Sequence, residues 1–191
     1  MDSRQRLRIR MIDLHNDIDE ILITEDDIRE KTKILGNSIS RDYSDKDLVM
    51  ISILKGGLIF LSDLLREVTI PAKVDFMAIT SYGADTESAG IVQLLKDLSN
   101  PILGKEVLIV EDIIDTGLTL NYLIQTLKAR QPLSIKICTL MDKSVRRIVD
   151  MPIAYKGFDV PDRFVVGYGL DYGQKYRNLP YIGVLKEEIY H

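Results

Sequence analysis

The stretch VLIVEDIIDTGLTL, residues 107–120, carries an apolar run directly before acids, hydroxyls and a glycine. The run Val107–Val110 is typical of a buried strand, and the leucines that close the stretch open a helix-like pattern. We therefore predict a strand that ends at the carboxylates Glu111 and Asp112 and turns through residues 115–117 into a helix. Free backbone N–H groups at a helix start bind phosphate, and carboxylates accept hydrogen bonds from sugar hydroxyls. The stretch thus predicts a site for a phosphorylated sugar.

Strand-like and helix-like patterns alternate outward from this stretch. Helical spacing of apolar residues follows Glu25, Leu58 and Leu120, and a capping box is expected at Thr24 and Asp27. Short segments that predict strands occupy residues 20–24, 48–54, 72–80, 105–110 and 133–140. This alternation predicts an α/β fold with a doubly wound, mostly parallel sheet.

Polar breaks follow the predicted strands at Lys55, Ser81, Glu111 and Lys143. Ligands of a doubly wound sheet bind beyond the carboxyl ends of its strands. We therefore expect these four positions to lie along one edge of the sheet.

Composition limits the class of protein. The chain has 191 residues and a formal net charge of -4, which fits one globular domain and argues against a protein that coats nucleic acid. No apolar stretch is long enough to span a membrane, and the single cysteine, Cys138, cannot form an intrachain disulfide. We expect Cys138 to lie in the core, residues 1–18 to form a solvated N-terminal arm, and the protein to be cytoplasmic.

The sequence does not meet the requirements of three other motifs that bind phosphate or use catalytic acids. The chain has no Gly-x4-Gly-Lys-Ser/Thr sequence, and a dinucleotide fingerprint starting at Gly167 has Tyr172 where its last glycine belongs. The Asp-Thr-Gly triplet at 115–117 matches aspartic proteases, but those enzymes need two carboxylates that share a proton, and the chain has one triplet. Taken alone, the two adjacent acids also fit solvated loop residues; their spacing to the hydroxyls favours the sugar site.

The same stretch resembles a known signature. VEDIIDTGLTL is similar to the 5-phosphoribosyl-1-pyrophosphate (PRPP) motif of type I phosphoribosyltransferases. Further segments resemble the bacterial hypoxanthine-guanine members of that family: LKGG (54–57), SYG (81–83), LMDK (140–143), GFDVPDRFVVGYGLDY (157–172) and YRNLPYIGVLK (176–186). The resemblance implies a single domain over residues 1–191, with a mobile lid at about 81–97. It also implies a small hood formed by the terminal segments, with base-binding residues within about 157–191.

The resemblance also implies a reaction. Members of this family transfer phosphoribose from PRPP to N9 of hypoxanthine or guanine, giving IMP or GMP and pyrophosphate with Mg²⁺ as cofactor. Two alternatives stay open: a nucleic-acid-binding regulator built on the same fold, and a transferase for another base such as xanthine. Relatives are homodimers or homotetramers, so a homo-oligomer is expected.

Residues for PRPP follow from the resemblance. Glu111 and Asp112 would bind the ribose hydroxyls, and Asp115 would lie near purine N7 as general base or proton relay, with helix N-capping as its structural alternative. Some relatives have lysine where this chain has Leu118, a position that a main-chain amide can serve. The 5′-phosphate would be bound by the loop that contains Asp115, Thr116, Gly117, Leu118 and Thr119.

The base and pyrophosphate residues follow in the same way. Lys143 would donate to purine O6, Phe164 would stack on the base, and Val165 would contact it through its main chain. Lys55, Gly56 and Arg177 would bind pyrophosphate, and the peptide bond between Leu54 and Lys55 is expected to be cis. Ser81 and Tyr82 would open the lid. Mg²⁺ would be met by Glu111, Asp112 and Asp171, partly through water or substrate, with Asp171 also beside the purine.

Overall fold

The computed structural model describes residues 14–82 and 91–190, with side chains over 14–79 and 93–190. Most of the predicted N-terminal arm and residues 83–90 of the predicted lid therefore lie outside the described residues. Short 3-10 helices cover Leu14–Asp17 and Ser144–Arg146. The α-helices are α1 (Glu25–Asp42), α2 (Leu58–Glu67), α3 (Leu118–Lys128) and α4 (Glu187–Tyr190). The strands are β1 (Ile18–Ile23), β2 (Leu48–Leu54), β3 (Ala72–Tyr82), β4 (Ile91–Lys96), β5 (Glu106–Ile114), β6 (Ser134–Asp142), β7 (Tyr155–Asp159), β8 (Val165–Val166) and β9 (Ile182–Leu185).

The strands form two sheets. The central sheet has the order β4-β3-β2-β5-β6-β7, and its neighbours are parallel except for β4, which is antiparallel to β3. A second, antiparallel sheet of order β1-β9-β8 joins the two ends of the described chain and forms the hood. The predicted α/β class, the mostly parallel sheet and the terminal hood are confirmed. The hood begins after Asp159, because β7 belongs to the central sheet.

Helices cover both faces of the central sheet. In β5, Leu108 and Val110 pack in the cluster that contains α1 and α2, whereas Val107 and Ile109 pack in the cluster that contains α3. Alternate residues of a strand point to opposite faces, so a strand covered on both sides needs the continuous apolar run seen in the sequence. Cys138 is buried on the α1–α2 face, which confirms its prediction as a core residue.

The predicted end of the central strand was wrong by four residues. The apolar run suggested an end at Val110, but β5 continues to Ile114. Pairing with β2 stops at Ser52↔Val110, whereas pairing with β6 continues to Ile114↔Asp142. Glu111 and Asp112 therefore lie within β5, beyond the last β5 residue that pairs with β2.

Strand β4 was missed by the sequence analysis, which placed residues 91–96 in the lid. It exists because it pairs antiparallel with the end of β3, which reaches Tyr82. At the start of α1 the predicted capping box is confirmed: the Asp27 N–H donates to Thr24 Oγ1 (3.2 Å), and the Thr24 N–H donates to the Asp27 carboxylate (3.2 Å). Among the described residues, no helix has the length and apolarity that a membrane crossing requires.

Candidate active site

A cavity of about 220 Å³ opens at the carboxyl end of β5. Asp112 lies beside it, with its carboxylate against the loop 55–57 rather than in the cavity wall: a Cβ added to Gly56 would lie 2.0 Å from Asp112 Oδ2. Leu118 is exposed at the start of α3. The structure thus brings most of the predicted sugar-phosphate residues into one wall, which contains Glu111, Asp115, Thr116, Gly117 and Thr119.

The loop 115–119 leads into α3 through a left-handed glycine. Gly117 is the N-cap, with φ at 82°, and a Cβ there would lie 2.9 Å from Met151 Cε. Only glycine suits both the backbone angle and the space. The first intrahelical hydrogen bond runs from Asn121 N–H to Gly117 O. The N–H groups of Thr119 and Leu120 are therefore available to an anion, whereas the Leu118 N–H donates to Thr116 Oγ1 at a long 3.5 Å. The alternative that Asp115 caps this helix is wrong, because Gly117 occupies that position.

Two arginines hold Asp115 in place. Arg146 Nη1 lies 3.3 Å from Asp115 Oδ2, and Arg147 Nε donates to the Asp115 carbonyl oxygen at 3.1 Å. The Arg147 guanidinium also pairs with the buried carboxylate of Asp142 at the end of β6. Asp115 Oδ1 is buried, and no hydrogen-bond donor among the described residues contacts it.

These arginine contacts were not predicted. The arginine pair that follows Lys143 was visible in the sequence, but nothing there shows that it folds back onto the loop 115–119. The backbone N–H groups of Ile148 and Val149 both donate to Thr116 O, at 2.9 and 3.2 Å. That tertiary pairing brings the arginine segment against Asp115.

The predicted base-binding residues lie directly after β6 and around the start of β8, and we call this region the base wall. The Lys143 N–H donates to Ile114 O at 2.9 Å, which ties the ends of β5 and β6 together. Its side chain is buried, and Nζ donates to Arg163 O at 2.9 Å. Phe164 follows directly and is 38% exposed, and Val165 begins β8. The Lys143 ammonium thus contacts the carbonyl group of the residue that precedes the exposed Phe164 ring.

The loop 55–57 and the segment 169–177 form the third wall. The peptide bond between Leu54 and Lys55 is cis, as predicted. A Cβ added to Gly169 would lie 2.2 Å from Gly56 O, so the two backbones are in direct contact. Arg177 donates to Gly169 O and pairs with the Asp171 carboxylate, both at 2.5 Å. Gly56, Arg177 and Asp171, which were predicted near pyrophosphate or metal, therefore meet at one place.

Comparisons with known proteins agree with this geometry. Residues 17–173 match the family model of the phosphoribosyl transferase domain. The chain belongs to the phosphoribosyltransferase family. This phosphoribosyltransferase is 49% identical to the hypoxanthine-guanine phosphoribosyltransferase of Staphylococcus aureus (strain Mu50) over 93% of its own length and 99% of that protein.

Two further relatives extend the comparison. A crystal structure of hypoxanthine phosphoribosyltransferase from Staphylococcus aureus superimposes on this phosphoribosyltransferase with a TM-score of 0.90 at 49% identity, covering 93% of this chain and 97% of the other. The bifunctional protein TilS/HprT of Listeria monocytogenes serotype 4b (strain F2365) is 48% identical over 93% of this chain, which spans only 27% of that longer protein.

Ionisation of the neighbouring carboxyl groups of Glu111 and Asp112 is unfavourable in the folded protein. Burial raises the pKa of Glu111 well above its ordinary value, and the neighbouring Asp112 raises it further. Burial likewise raises the pKa of Asp112 to about 6, although the Ile113 N–H that donates to its Oδ1 at 2.8 Å opposes the shift. Two acids that resist ionisation in the free protein are suited to a ligand that supplies positive charge or hydrogen-bond donors.

We expect Asp112→Asn to stabilise the ligand-free protein more as pH rises. The raised pKa means that the folded state binds the proton more tightly than the unfolded chain, so stability is lost as pH rises from about 4 to about 6. Asparagine removes that loss. The gain in the free energy of unfolding should grow from about 1.5 kcal/mol at pH 5 to about 3 kcal/mol at pH 8, measured by urea denaturation.

Asp75→Asn is the matched control. Burial would raise the pKa of Asp75, but the backbone N–H groups of Phe76, Ser99 and Asn100 outweigh it and hold this pKa below its ordinary value. Asp75 therefore contributes stability above about pH 4 that is lost as pH falls, and its replacement should destabilise the protein at neutral pH. A gain for Asp112→Asn that stays constant between pH 5 and pH 8 would contradict the prediction.

The lid residues are placed only in part. Ser81 and Tyr82 end β3, next to the site edge of the sheet, and their side chains lie outside the described residues, as do Gly83 and Gly90.

Proposed function

We propose that this protein is a purine-salvage enzyme that transfers the 5-phosphoribosyl group from PRPP to N9 of hypoxanthine or guanine. The observation that carries the proposal is the convergence of three walls at the carboxyl ends of β2, β5 and β6. One wall suits a sugar phosphate, one suits a purine with a carbonyl, and one suits pyrophosphate. The 49% identity to the Staphylococcus aureus enzyme supports the same reaction.

The sugar-phosphate wall is proposed to bind PRPP through main-chain amides and hydroxyls. The N–H groups of residues 119 and 120 and the hydroxyls of Thr116 and Thr119 would hold the 5′-phosphate, because helix starts attract anions. Glu111 and Asp112 would accept hydrogen bonds from the ribose 2- and 3-hydroxyls. The donors of the sugar would offset the cost of ionising both buried acids.

The base wall is proposed to read the purine at O6. The Lys143 ammonium has donors and no acceptor, so it suits a carbonyl oxygen and disfavours the amino group of adenine. Its hydrogen bond to Arg163 O holds the ammonium at the carbonyl that precedes Phe164, and the Phe164 ring would stack on the base. Val165 would contact the base edge through its main chain. A site that reads one polar group in this way can discriminate by roughly 10⁴-fold.

The proposed step forms one bond and breaks one. The N9 lone pair forms the bond to C1′ of the ribose, and the C1′–O bond to pyrophosphate breaks with its electron pair leaving on the pyrophosphate oxygen. The proton on N7 of the base would go to the carboxylate of Asp115, whose side chain is 40% exposed and lines the cavity. Lys55, the amide of Gly56 and Arg177 would hold the leaving pyrophosphate.

Mg²⁺ is the proposed cofactor. Among the described residues, no cluster of three His, Cys, Asp or Glu side chains could hold a metal alone. That finding suits Mg²⁺, which binds through one or two carboxylates together with substrate phosphates. Glu111, Asp112 and Asp171 are the carboxylates near that position. When bound, the ion would neutralise charge on the leaving pyrophosphate.

The decisive test is an assay with PRPP, Mg²⁺ and four bases: hypoxanthine, guanine, xanthine and adenine. We expect turnover of hypoxanthine, guanine or both, loss of activity with EDTA, and adenine turnover lower by roughly 10³-fold or more. Equal use of adenine, or no turnover with any base, would overturn the proposal. Nucleic-acid binding without turnover would favour the regulator alternative.

Three further expectations belong to the same proposal. We place the whole chain in one phosphoribosyltransferase domain and in the cytoplasm. Soluble oligomers are mostly symmetric homo-oligomers, and sedimentation should give two or four times the chain mass of 21.8 kDa.

A further inference from the structure

Three aromatic rings meet at Phe164, and the reaction above uses one of them. Tyr190 of α4 lies parallel to Phe164, with ring centroids 4.8 Å apart and an interplanar angle of 21°. Tyr172 meets Phe164 edge-on at 5.7 Å and 90°, and contacts Tyr190 at 6.5 Å. Parallel and edge-on contacts are the favourable arrangements of aromatic pairs. We call these residues the aromatic cluster.

The aromatic cluster contacts the Phe164 ring, which is not part of the hydrophobic core of the described residues. Phe164 lies just before β8, remains 38% exposed, and belongs to none of the buried hydrophobic clusters of the described chain. Its backbone is fixed, since Leu185 N–H donates to Phe164 O at 3.0 Å. The orientation of its side chain therefore depends on neighbouring rings more than on core packing.

Tyr190 is itself anchored. Lys186, just before α4, donates through its N–H to Asp17 O at 3.0 Å and through Nζ to Asn16 O at 2.7 Å. Ile189 packs beside Tyr190 against the hood cluster that contains Tyr181 and Leu185. The end of the chain is thus fixed to the 3-10 helix at residues 14–17, and it presents the Tyr190 ring to one face of Phe164.

We propose that Tyr190 is a positioning residue for base binding. It supports the Phe164 ring from behind, so that the opposite, exposed face meets the purine without first losing side-chain freedom. A preorganised ring binds more tightly because less conformational entropy is lost on binding. This inference rests on the proposed function, because it assigns the Phe164 face to a 6-oxopurine.

The kinetic test distinguishes the effect of the Tyr190 ring on base binding from the effect of α4, the helix that carries this ring. Tyr190→Ala should raise the KM for hypoxanthine roughly 3- to 10-fold and leave kcat and the KM for PRPP within about twofold. Tyr190→Phe keeps the ring and should behave as wild type. Ile189→Ala weakens the packing of α4 but keeps the ring, so its KM for hypoxanthine should stay within about twofold of wild type.

Three outcomes would overturn the inference. The first is an unchanged KM in Tyr190→Ala. The second is the same increase in Ile189→Ala, which would indicate a purely structural role for α4. The third is a lower KM in Tyr190→Ala, which would mean that Tyr190 occupies the base position in the free protein and competes with the purine.

A spectroscopic test does not depend on turnover. The chain has no tryptophan, so Tyr190→Trp introduces a single indole against Phe164. GMP should change its emission, whereas PRPP with Mg²⁺ alone should not. Leu133→Trp, exposed before the amino end of β6, should respond to neither. No emission change of Trp at 190 with GMP bound would contradict the inference.

The two proposals fail in different ways. If wild type turns over no 6-oxopurine with PRPP, the proposed function fails and takes the inference with it. If wild type is active and Tyr190→Ala matches it in the KM for hypoxanthine, the inference alone fails.

Discussion

Replacing Asp115 by alanine is expected to lower kcat for hypoxanthine by roughly 10²- to 10⁴-fold, the usual contribution of a general acid or base. The loss should fall on kcat because Asp115 lines the cavity and would take the proton of the base. The Kd for PRPP, measured by calorimetry, should change by less than about threefold, since main-chain amides of residues 119 and 120 would carry the phosphate.

Two variants make this prediction sharper. Asp115→Asn keeps the shape and can still contact Arg146, but it cannot accept the proton, so it should lose as much kcat as alanine. Arg146→Ala keeps the carboxylate and removes its partner at 3.3 Å. If Arg146→Ala lost as much kcat as Asp115→Ala, the aspartate would be acting through the ion pair, and its role as base would be wrong.

Lys143→Met should lower kcat/KM for hypoxanthine roughly 10- to 100-fold, the value of a hydrogen bond from a charged donor. The preference for hypoxanthine over adenine should shrink by a similar factor, because the donor that selects a carbonyl is gone. Methionine has a similar length and suits a buried position. The Kd for PRPP should stay near that of wild type, since Lys143 lies on the base wall. Initial rates with both bases provide the measurement.

Lys156→Met is the matched control. Lys156 lies within the parallel strand β7, where its Nζ donates to Asp159 at 2.7 Å and lies 3.7 Å from Asp142, and its side chain is more exposed than that of Lys143. It should change stability slightly and selectivity not at all. Because removal of Lys143 leaves Arg163 O without its donor, urea denaturation must show that the Lys143 variant is folded at the assay temperature. An unchanged base preference in a folded Lys143→Met would remove the assigned role.

Much of the fold could be predicted from local patterns. The continuous run Val107–Val110 required burial on both faces, which only the middle of a helix-covered parallel sheet supplies. Thr24 and Asp27 have the spacing that satisfies two free N–H groups at a helix start, and the capping box forms. The predicted residues of the sugar-phosphate wall adjoin one another in sequence, so a single turn was enough to bring them together.

Other features depended on partners far along the chain. The extension of β5 to Ile114 follows from its pairing with β6, and β4 follows from its pairing with the end of β3. Gly117 rather than Asp115 caps α3, and Met151 and Val149, from a distant loop, leave no room for a side chain at residue 117.

The two-sided, mostly parallel sheet and the chemistry of the turn after β5 were contained in the chain's local pattern, because periodicity and turn residues act over a few positions. The contacts of Asp115 with Arg146 and Arg147, the burial of Lys143 against Arg163 O, and the support of Phe164 by Tyr190 were decided by the folded chain. Each joins residues that are 20 or more positions apart, and the strength of such contacts depends on distance and burial that no local pattern encodes.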